Sequence, residues 1–433
     1  MGRIHNRKII EQEAMKIVMA NNHLTLRGGS ERVMLDETQW LRRNGHSVTM
    51  FGRVSPSRTA DMPYSELMPQ LPDYSASSGI ERIRIARDVV YNRDTGLRFR
   101  ALLTSVQPDI VHCHNIYAGL TTAVVDECER ASVPCVITLH DYKLVCPSYL
   151  MLRNGVPCSL CLGGKFYYCA LTRCHKSSFA VSAVSTVEAY FNRHYDKYLK
   201  AARLIAPSRF LLGQMVAGGI PSSKLCCIPN GIDVSGIDLL RRDGGYCLYF
   251  GRLSEEKGLK TLLSAMSNAP MPLRVAGEGP AAASLKQFAA DEGLTNVRFE
   301  GHKSGQELID LLGGATFVIV PSECYENASM SVLEAMAHGK SIVASRIGGL
   351  PEQVEDGVTG LLFEPGDVKQ LSAAMTAIWS DADLRCKLGY AARQRAESQF
   401  SLECHCRALQ QLYEEVTGLG KVHSAESAAE KIN

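Results

Sequence analysis

The sequence predicts an α/β protein made of two doubly wound, Rossmann-like domains that face each other across a cleft. The chain has 433 residues, more than the ~250–300 residues at which a single hydrophobic core stops growing. Short apolar segments alternate with helical segments, which is typical of a parallel sheet covered by helices on both faces. The alternation pauses at a linker around 208–235 and starts again at Tyr246, which indicates a second domain of the same architecture.

The first domain is predicted over 15–207, after a flexible polar extension at 1–14. Its first strand begins at Lys16 and is followed by a loop and an amphipathic helix that ends near Arg43. Apolar segments that end in polar residues, separated by helical stretches, predict the other strands. These segments lie at 46–53, 108–115, 133–141 and 203–208.

An insertion at 142–177 interrupts this domain, and its prolines and glycines make it too irregular for a helix or strand. It holds four cysteines spaced C-x11-C-x2-C-x12-C, a set that suits a tetrahedral structural zinc. The candidate ligands are Cys146, Cys158, Cys161 and Cys174, with Cys169 and His175 as further candidates. The alternative is that the thiols pack as small buried apolar groups, and an iron–sulfur cluster is disfavoured.

The second domain is predicted over 208–395. Its strand candidates are 246–252, 272–280, 296–302, 316–322, 340–349 and 359–365. We expect a terminal helix at 396–418 to cross back to the first domain, followed by a disordered polar tail at 419–433. Because open α/β sheets bind ligands beyond the carboxyl ends of their strands, two such sheets predict one deep cleft.

Composition and charge narrow the function. The chain has 47 Lys and Arg against 45 Asp and Glu, a net charge of +2, which argues against a nucleic-acid partner and favours a small molecule. No apolar run reaches the ~18 residues of a membrane span, and the N-terminus lacks the apolar region of a secretory signal. We therefore expect a cytoplasmic protein.

One segment suggests peripheral contact with the inner face of a membrane. Residues 81–100 hold six arginines against one glutamate and two aspartates, interleaved with apolar side chains. Such a basic amphipathic stretch can lie on the surface of an anionic bilayer. The alternative is a solvated helix face above a stripe that packs on the core.

The most informative motif contains two glutamates separated by seven residues. A strand that ends at Val320 and a helix that begins near Asn327 would place Glu326 on the loop and Glu334 two turns along the helix, about 12 Å further. The free N–H groups of residues 328–330 would then bind a pyrophosphate at the helix N-terminus. The alternative makes Glu326 a capping acid and Glu334 a solvated helix residue.

Other candidate binding residues follow strand ends. Arg252 and Lys257 are spaced to flank an anion, although as isolated charges they would belong to a solvated surface. Gly28 and Gly29 form a strand-to-helix loop that lacks the third glycine of a dinucleotide fingerprint, which weakens an oxidoreductase interpretation. His140 ends a strand, where its side chain can reach the floor of the cleft.

Taken together, these motifs resemble those of the retaining nucleotide-sugar glycosyltransferases of family 4, which have the two-Rossmann-domain GT-B fold. The resemblance covers about 15–418. Beside the residues above, it rests on Asp141, Pro207-Ser208-Arg209, Pro229-Asn230-Gly231-Ile232-Asp233, Gly251, Gly277-Glu278-Gly279-Pro280 and Gly348-Gly349-Leu350-Pro351-Glu352. The sequence departs from the family at Asn327-Ala328-Ser329, where Phe-Gly is frequent, and this leaves the donor sugar open.

The resemblance implies a role for each candidate. Arg252 and Lys257 would hold the donor diphosphate, Glu334 the ribose hydroxyls, and Glu326 and His140 the donor sugar. Loop amides would bind the pyrophosphate and the sugar, and a glycine loop would border the phosphates and the acceptor. The amides belong to Asn327, Ala328, Ser329 and Met330, and the loop contains Gly28 and Gly29.

The resemblance also implies an activity, which is transfer with retention from a nucleotide-diphosphate sugar to a saccharide or lipid-linked saccharide, in surface polysaccharide assembly. It implies that no metal is required for catalysis and that the departing phosphate oxygen accepts the acceptor's proton, so Glu326 would position and stabilise rather than attack. Two alternatives stay open. One is a non-catalytic sugar-nucleotide-binding partner of another transferase, and the other is a nucleotide-sugar 2-epimerase.

Overall fold

The computed structural model of the protein describes residues 14–53, 63–69, 79–237, 243–267, 269 and 271–419. Apart from residues 14 and 419, the predicted N-terminal extension and C-terminal tail lie outside these ranges. Within them, the chain forms two six-stranded parallel sheets, each covered by helices. The prediction of two Rossmann-like domains is therefore confirmed.

The first sheet follows the predicted strands, with tighter bounds. Its strands are β1 Lys16–His23, β2 Ser47–Arg53, β3 Ile110–Cys113, β4 Cys135–Thr138, β7 Arg203–Ala206 and β8 Leu225–Cys227, while β5 Leu152–Arg153 and β6 Val156–Pro157 form a separate hairpin. The helices are α1 Gly29–Arg43, α2 Gly79–Val90, α3 Arg93–Val106, α4 Ala123–Arg130, α5 Tyr167–Thr172, α6 Phe179–His194 and α7 Arg209–Ala217. Because β8 pairs with β7 in this sheet, the first domain extends beyond the boundary predicted at 207.

The second sheet repeats the pattern. Its strands are β9 Cys247–Phe250, β10 Leu273–Ala276, β11 Val297–Gly301, β12 Phe317–Val320, β13 Ile342–Ser345 and β14 Gly360–Phe363. The helices are α8 Leu259–Met266, α9 Ala282–Asp291, α10 Gly305–Gly314, α11 Met330–Ala337, α12 Leu350–Gln353, α13 Val368–Ser380, α14 Ala382–Gln399 and α15 Leu402–Thr417. Short 3-10 turns lie at Ser65–Leu67, Leu162–Gly164, Lys197–Lys200, Ser222–Lys224 and Glu255–Lys257.

The central strands are apolar along their whole length because both sheet faces are covered. All four residues of β3, β4, β9, β12 and β13 are buried. This is the pattern expected of parallel strands between two helical layers. It also explains why short continuous apolar runs, rather than alternating ones, located these strands in the sequence.

Strand order determines where each sheet can bind a ligand. The first sheet runs β2-β1-β3-β4-β7-β8 and the second runs β11-β10-β9-β12-β13-β14. The direction of winding reverses between β1 and β3 and between β9 and β12, and a crevice opens at such a switch point beyond the carboxyl ends of the strands. The loops that follow these four strands contain the glycine pair and most of the other predicted binding residues.

The chain returns to the first domain at its C-terminal end. The predicted terminal helix at 396–418 begins only at Leu402, after a break at Phe400 and Ser401 where Ile232 exchanges backbone hydrogen bonds of 2.8 Å with Phe400 O and Leu402 N. Beyond this crossing, α15 packs Leu409 and Tyr413 into the core of the first domain. No helix among the described residues is both long and apolar enough to cross a membrane.

Candidate active site

The second-domain wall of the cleft is organised around an ion pair. Lys257 follows β9 and Glu326 follows β12, and because these strands are neighbours the Lys257 Nζ donates to Glu326 Oε1 at 2.6 Å. Ser322 Oγ donates to the same oxygen at 2.5 Å. Burial opposes ionisation of Glu326, but Lys257 and Ser322 outweigh it and hold its pKa below the ordinary value. The pair is therefore charged at neutral pH.

Glycines allow the loops around Glu326 to approach one another. Gly348 has φ +61°, and a Cβ there would lie 2.4 Å from the carbonyl oxygen of Glu326. The next amide, Gly349 N, donates to the same carbonyl at 2.7 Å. A side chain at Gly348 would therefore displace this loop.

Arg252 and Glu334 lie on the same wall, and no described residue holds either side chain in place. Neither forms a side-chain hydrogen bond or ion pair with the described residues, and Arg252 is exposed. Burial raises the pKa of Glu334 to about 7, with Arg32 opposing the shift and Asp36 adding to it. Since Arg32 and Asp36 belong to α1, Glu334 faces the first domain across the cleft rather than bulk solvent.

The phosphate-binding loop differs from the prediction in two respects. Helix α11 begins at Met330 instead of near Asn327, so Glu334 is only its fifth residue. The N–H of Ser329 donates to Gln353 Oε1 at 2.8 Å, and Gln353 Nε2 donates back to Ser329 O at 3.1 Å. The Ser329 amide is thus occupied, whereas the amides of Ala328 and Met330 have no side-chain partner in the part of the chain that the structure describes.

Asn327 joins the two domains. Its Nδ2 donates to Leu139 O at 3.0 Å, next to His140, and its Oδ1 accepts from Ser208 Oγ at 3.1 Å. The residue that departs from the frequent Phe-Gly motif therefore brings the Glu326 loop against the strand end that carries His140. Sequence reasoning missed this contact because both partners are backbone or hydroxyl groups far away in the chain.

The glycine pair also reaches the second domain. A Cβ on Gly29 would lie 3.5 Å from Cγ of Met330, so the loop after β1 abuts the first residue of α11. Glu352, at the end of the glycine-rich turn, accepts from the amides of Arg209 and Phe210 at 2.8 and 2.6 Å. The predicted residues of both domains thus line one cleft.

The four predicted zinc ligands, Cys146, Cys158, Cys161 and Cys174, are close enough that burial and the other three thiols together raise the pKa of Cys161, but they do not form a group of three ligand atoms within 4.8 Å of one another. Within the described parts of the chain, the one group of potential ligand atoms lying within 4.8 Å of one another belongs to Glu37, His112 and His114. Cys146 is buried in the first-domain core, whereas Cys161 packs in a small separate cluster of the insertion. These two thiols pack as apolar groups, and the zinc prediction is not supported.

Two family models match this chain. The model described as Glycosyltransferase Family 4 matches residues 27–235, and the one described as Glycosyl transferases group 1 matches 237–395. The glycogen synthase of Mycobacterium tuberculosis is 30% identical over 331 residues, which are 73% of this chain and 72% of that protein. The chain belongs to glycosyltransferase family 4.

A second relative and a solved structure extend the comparison. The transferase is 28% identical to the amylovoran biosynthesis glycosyltransferase AmsK of Erwinia amylovora over 239 residues, 51% of this chain and 58% of that protein. Its fold is similar to that of Anabaena Alr3699/HepE, solved in complex with UDP and glucose, with a TM-score of 0.63, 18% identity and coverage of 93% and 100% of the two chains. The predicted GT-B fold is thereby confirmed.

Proposed function

We propose that this transferase moves a hexose, with retention of configuration, from a nucleotide-diphosphate sugar to a saccharide or lipid-linked saccharide in surface polysaccharide assembly. The main support for this proposal is the position of the Lys257–Glu326 pair. It lies with Arg252 at the β9/β12 switch point, and an open sheet binds its ligand at such a point. The UDP and glucose bound by HepE and the polysaccharide relatives support the donor and acceptor classes.

The cations would act on the leaving group. Departure of the nucleoside diphosphate places negative charge on the phosphate oxygens, and Arg252, Lys257 and the Ala328 and Met330 amides would stabilise that charge in place. This requires no metal for catalysis. Glu334 would accept hydrogen bonds from the ribose hydroxyls, since its carboxylate has no other hydrogen-bond partner among the described side chains.

Glu326 would position the sugar rather than attack it. Its charge is already balanced by Lys257 at 2.6 Å and its Oε1 also accepts from Ser322, which lowers its nucleophilicity. The departing phosphate oxygen would accept the proton of the acceptor hydroxyl as that hydroxyl attacks the same face of the sugar. His140 would contact the sugar from the first domain.

The test is turnover with a panel of nucleotide sugars. We expect one donor to raise the melting temperature and to release nucleoside diphosphate, and the product formed with an acceptor to keep the anomeric configuration by proton NMR. An inverted product would reject retention. Epimerised donor without transfer would indicate a 2-epimerase, and binding without turnover of any donor would indicate a non-catalytic partner.

We also propose that the first domain contacts an anionic membrane. Helix α6 packs on both α2 and α5, and on these helices the side chains of Ile83, Leu171 and Phe179 are 72%, 70% and 59% exposed. Arg84 and Lys176 are exposed next to them in the chain. Apolar side chains bordered by cations match a negatively charged lipid surface, where a lipid-linked acceptor would be held.

Vesicle sedimentation tests this surface. We expect the protein to sediment with phosphatidylglycerol vesicles and not with phosphatidylcholine vesicles, and Leu171→Ser with Phe179→Ser to reduce the bound fraction several-fold. Val358→Ser, an exposed apolar position in the second domain, is the matched control. Equal sedimentation of the double variant and the wild type would reject the surface.

A further inference from the structure

A chain of four ionisable side chains runs from the cleft into the first domain. His140 Nε2 lies 3.0 Å from His114 Nδ1, and the two rings stack at an interplanar angle of 20°. His114 Nε2 lies 3.2 Å from Glu37 Oε2, and Glu37 Oε1 lies 2.9 Å from His405 Nε2. The chain ends where His405 Nδ1 meets Pro229 O at 2.7 Å.

The inner end of this chain determines where its protons are. The carbonyl of Pro229 can only accept, so His405 carries a hydrogen on Nδ1. Its Nε2 faces a carboxylate, which also accepts, so His405 is an imidazolium. Burial opposes this charge, but Glu37 outweighs burial and raises the pKa of His405. Glu37 is ionised: its pKa lies well below the ordinary value despite burial, and His405 Nε2, 2.9 Å from its Oε1, supplies the balancing charge.

The contact between Glu37 and His114 determines the protonation of His114. Its Nε2 lies 3.2 Å from Glu37 Oε2 without the angle of a hydrogen bond, but a lone pair on Nε2 would face the lone pairs of the carboxylate, so Nε2 carries the hydrogen. His405 already balances the single negative charge of Glu37, and the side chains of Glu37 and His114 are 0% exposed, so a positive charge on His114 would be buried beside an anion that is already neutralised. His114 is thus neutral, with a lone pair on Nδ1 that must accept from His140 Nε2.

His112 does not change this assignment. It is fully buried, burial and the neighbouring His114 lower its pKa well below the ordinary value, and its ring nitrogens meet the hydroxyls of Tyr413 and Thr138 at 2.7 and 2.8 Å. Its Nδ1 also lies 3.4 Å from Glu37 Oε2, which favours the neutral tautomer with hydrogen on Nδ1; Tyr413 then accepts and Thr138 donates. The proximity of Glu37, His112 and His114 is accounted for by these contacts, and the imidazolium of His405 disfavours a cation there.

We infer that Glu37 and His114 are positioning residues that hold His140 as the neutral tautomer with hydrogen on Nε2, so that its Nδ1 presents a hydrogen-bond acceptor to a hydroxyl of the donor sugar. The inference rests on the proposed function, which places the sugar at His140. His140 is partly exposed, and its Nδ1 has no partner among the described residues.

This arrangement has a consequence for the donor. An acceptor nitrogen held in place binds a sugar that offers a hydroxyl hydrogen at that position. A donor that is deoxygenated there leaves the nitrogen unpaired, which selects against it. The transferase should therefore prefer a hydroxylated sugar to its deoxy analogue at the position that faces His140.

The wild-type protein provides the first test. Labelling the histidines with ¹⁵N and recording long-range ¹H–¹⁵N spectra distinguishes the two neutral tautomers, and His140→Gln assigns the His140 signals. We expect hydrogen on Nε2 and a bare Nδ1, together with an imidazolium at His405. Hydrogen on Nδ1 of His140, with Nε2 bare, overturns the inference, whether or not the protein turns over a donor.

Glu37→Gln provides the second test. An amide has one accepting oxygen and one donating nitrogen, so it cannot accept from both His114 and His405. We expect mixed tautomers at His140 and kcat lowered at least about tenfold, with unchanged Kd for UDP, which binds the other domain. Thr38→Val, also buried on α1 but outside the chain, should keep wild-type kcat.

These outcomes separate the inference from the proposed function. A folded Glu37→Gln variant with wild-type kcat and an unchanged His140 tautomer overturns the positioning role. If that variant does not fold, the tautomer of His140 measured in the wild-type protein decides whether the inference holds. Absence of donor turnover in the wild type contradicts the proposed function and leaves the proton assignment to the spectra.

Discussion

The two walls of the cleft hold their polar side chains in opposite ways. On the second-domain wall, Arg252 and Glu334 have no side-chain hydrogen bond or ion pair with the described residues, and the Lys257–Glu326 pair is 28% and 13% exposed. On the first-domain wall, His140 is the outer end of a chain of ionisable side chains in contact with one another, whose inner members are buried. The second-domain wall has charged side chains that can bind an anionic ligand. The first-domain wall presents the neutral side chain of His140, whose tautomer is determined by the buried residues that it contacts.

The strongest test of this contrast removes the central cation. Lys257→Ala leaves Glu326 charged and largely buried without its partner and removes a group that would stabilise the departing diphosphate. We expect kcat/KM to fall by about 100-fold or more and the affinity for UDP to fall as well. Steady-state kinetics and calorimetry measure both quantities.

Two further variants separate the roles on this wall. Lys260→Ala removes an exposed cation three residues away and should behave as wild type. Glu326→Ala should lower kcat more than the affinity for UDP, because we assign it to the sugar. Similar losses of affinity in Glu326→Ala and Lys257→Ala would contradict that division.

Glu334→Ala is expected to have the next largest effect. It removes a charged acceptor from the ribose hydroxyls, and hydrogen bonds to charged groups contribute about 1.5–3 kcal/mol, so UDP affinity should fall about tenfold or more. Calorimetry with UDP measures the change. Unchanged affinity would remove Glu334 from the site.

A smaller effect should follow from pH. Burial raises the pKa of Glu334 to about 7, so the residue loses its charge as the pH falls below 7 and gains it as the pH rises above 7. UDP affinity should therefore increase several-fold between about pH 6 and pH 8. Because the glutamine in the Glu334→Gln variant cannot titrate, the pH dependence of UDP affinity in that variant reports the ionisation of the UDP phosphate alone. The same pH dependence in variant and wild type would exclude Glu334 as its cause.

The mildest change weakens the contact between the walls. Asn327→Ala removes the hydrogen bonds to Leu139 O and Ser208, each worth about 0.5–1.5 kcal/mol, and should lower donor affinity a few-fold. Small-angle scattering should show less donor-induced compaction than in the wild type. Asn296→Ala, which loses backbone contacts inside the second domain only, is the control.

Hydrogen exchange of the wild-type protein tests whether both walls of the cleft take part in donor binding. If the domains close around the donor, protection should increase both in the loop at 26–32 and in the segment at 326–334. Protection confined to 326–334, with an unchanged radius of gyration, would mean that the donor binds the second-domain wall alone and that closure does not accompany donor binding.

Much of this protein was readable in its sequence. Short apolar segments located the strands because central parallel strands are buried on both faces, and strand ends located Arg252, Lys257 and Glu326 because a switch point gathers the loops that follow neighbouring strands. The charge type of each residue then indicated an anionic ligand. These inferences depend on local pattern and on a general rule of sheet topology.

Only the tertiary structure decided the remainder. The Ser329 amide is occupied because Gln353 reaches it from a different helix, and four cysteines with suitable spacing lie near one another without three of their sulfur atoms coming within 4.8 Å. The tautomer of His140 depends on Glu37 and on an imidazolium supplied by the terminal helix, 265 residues further along the chain. Which ring nitrogen carries the proton depends on the donors and acceptors around the ring, and the packing of segments that are distant in the chain determines which donors and acceptors those are.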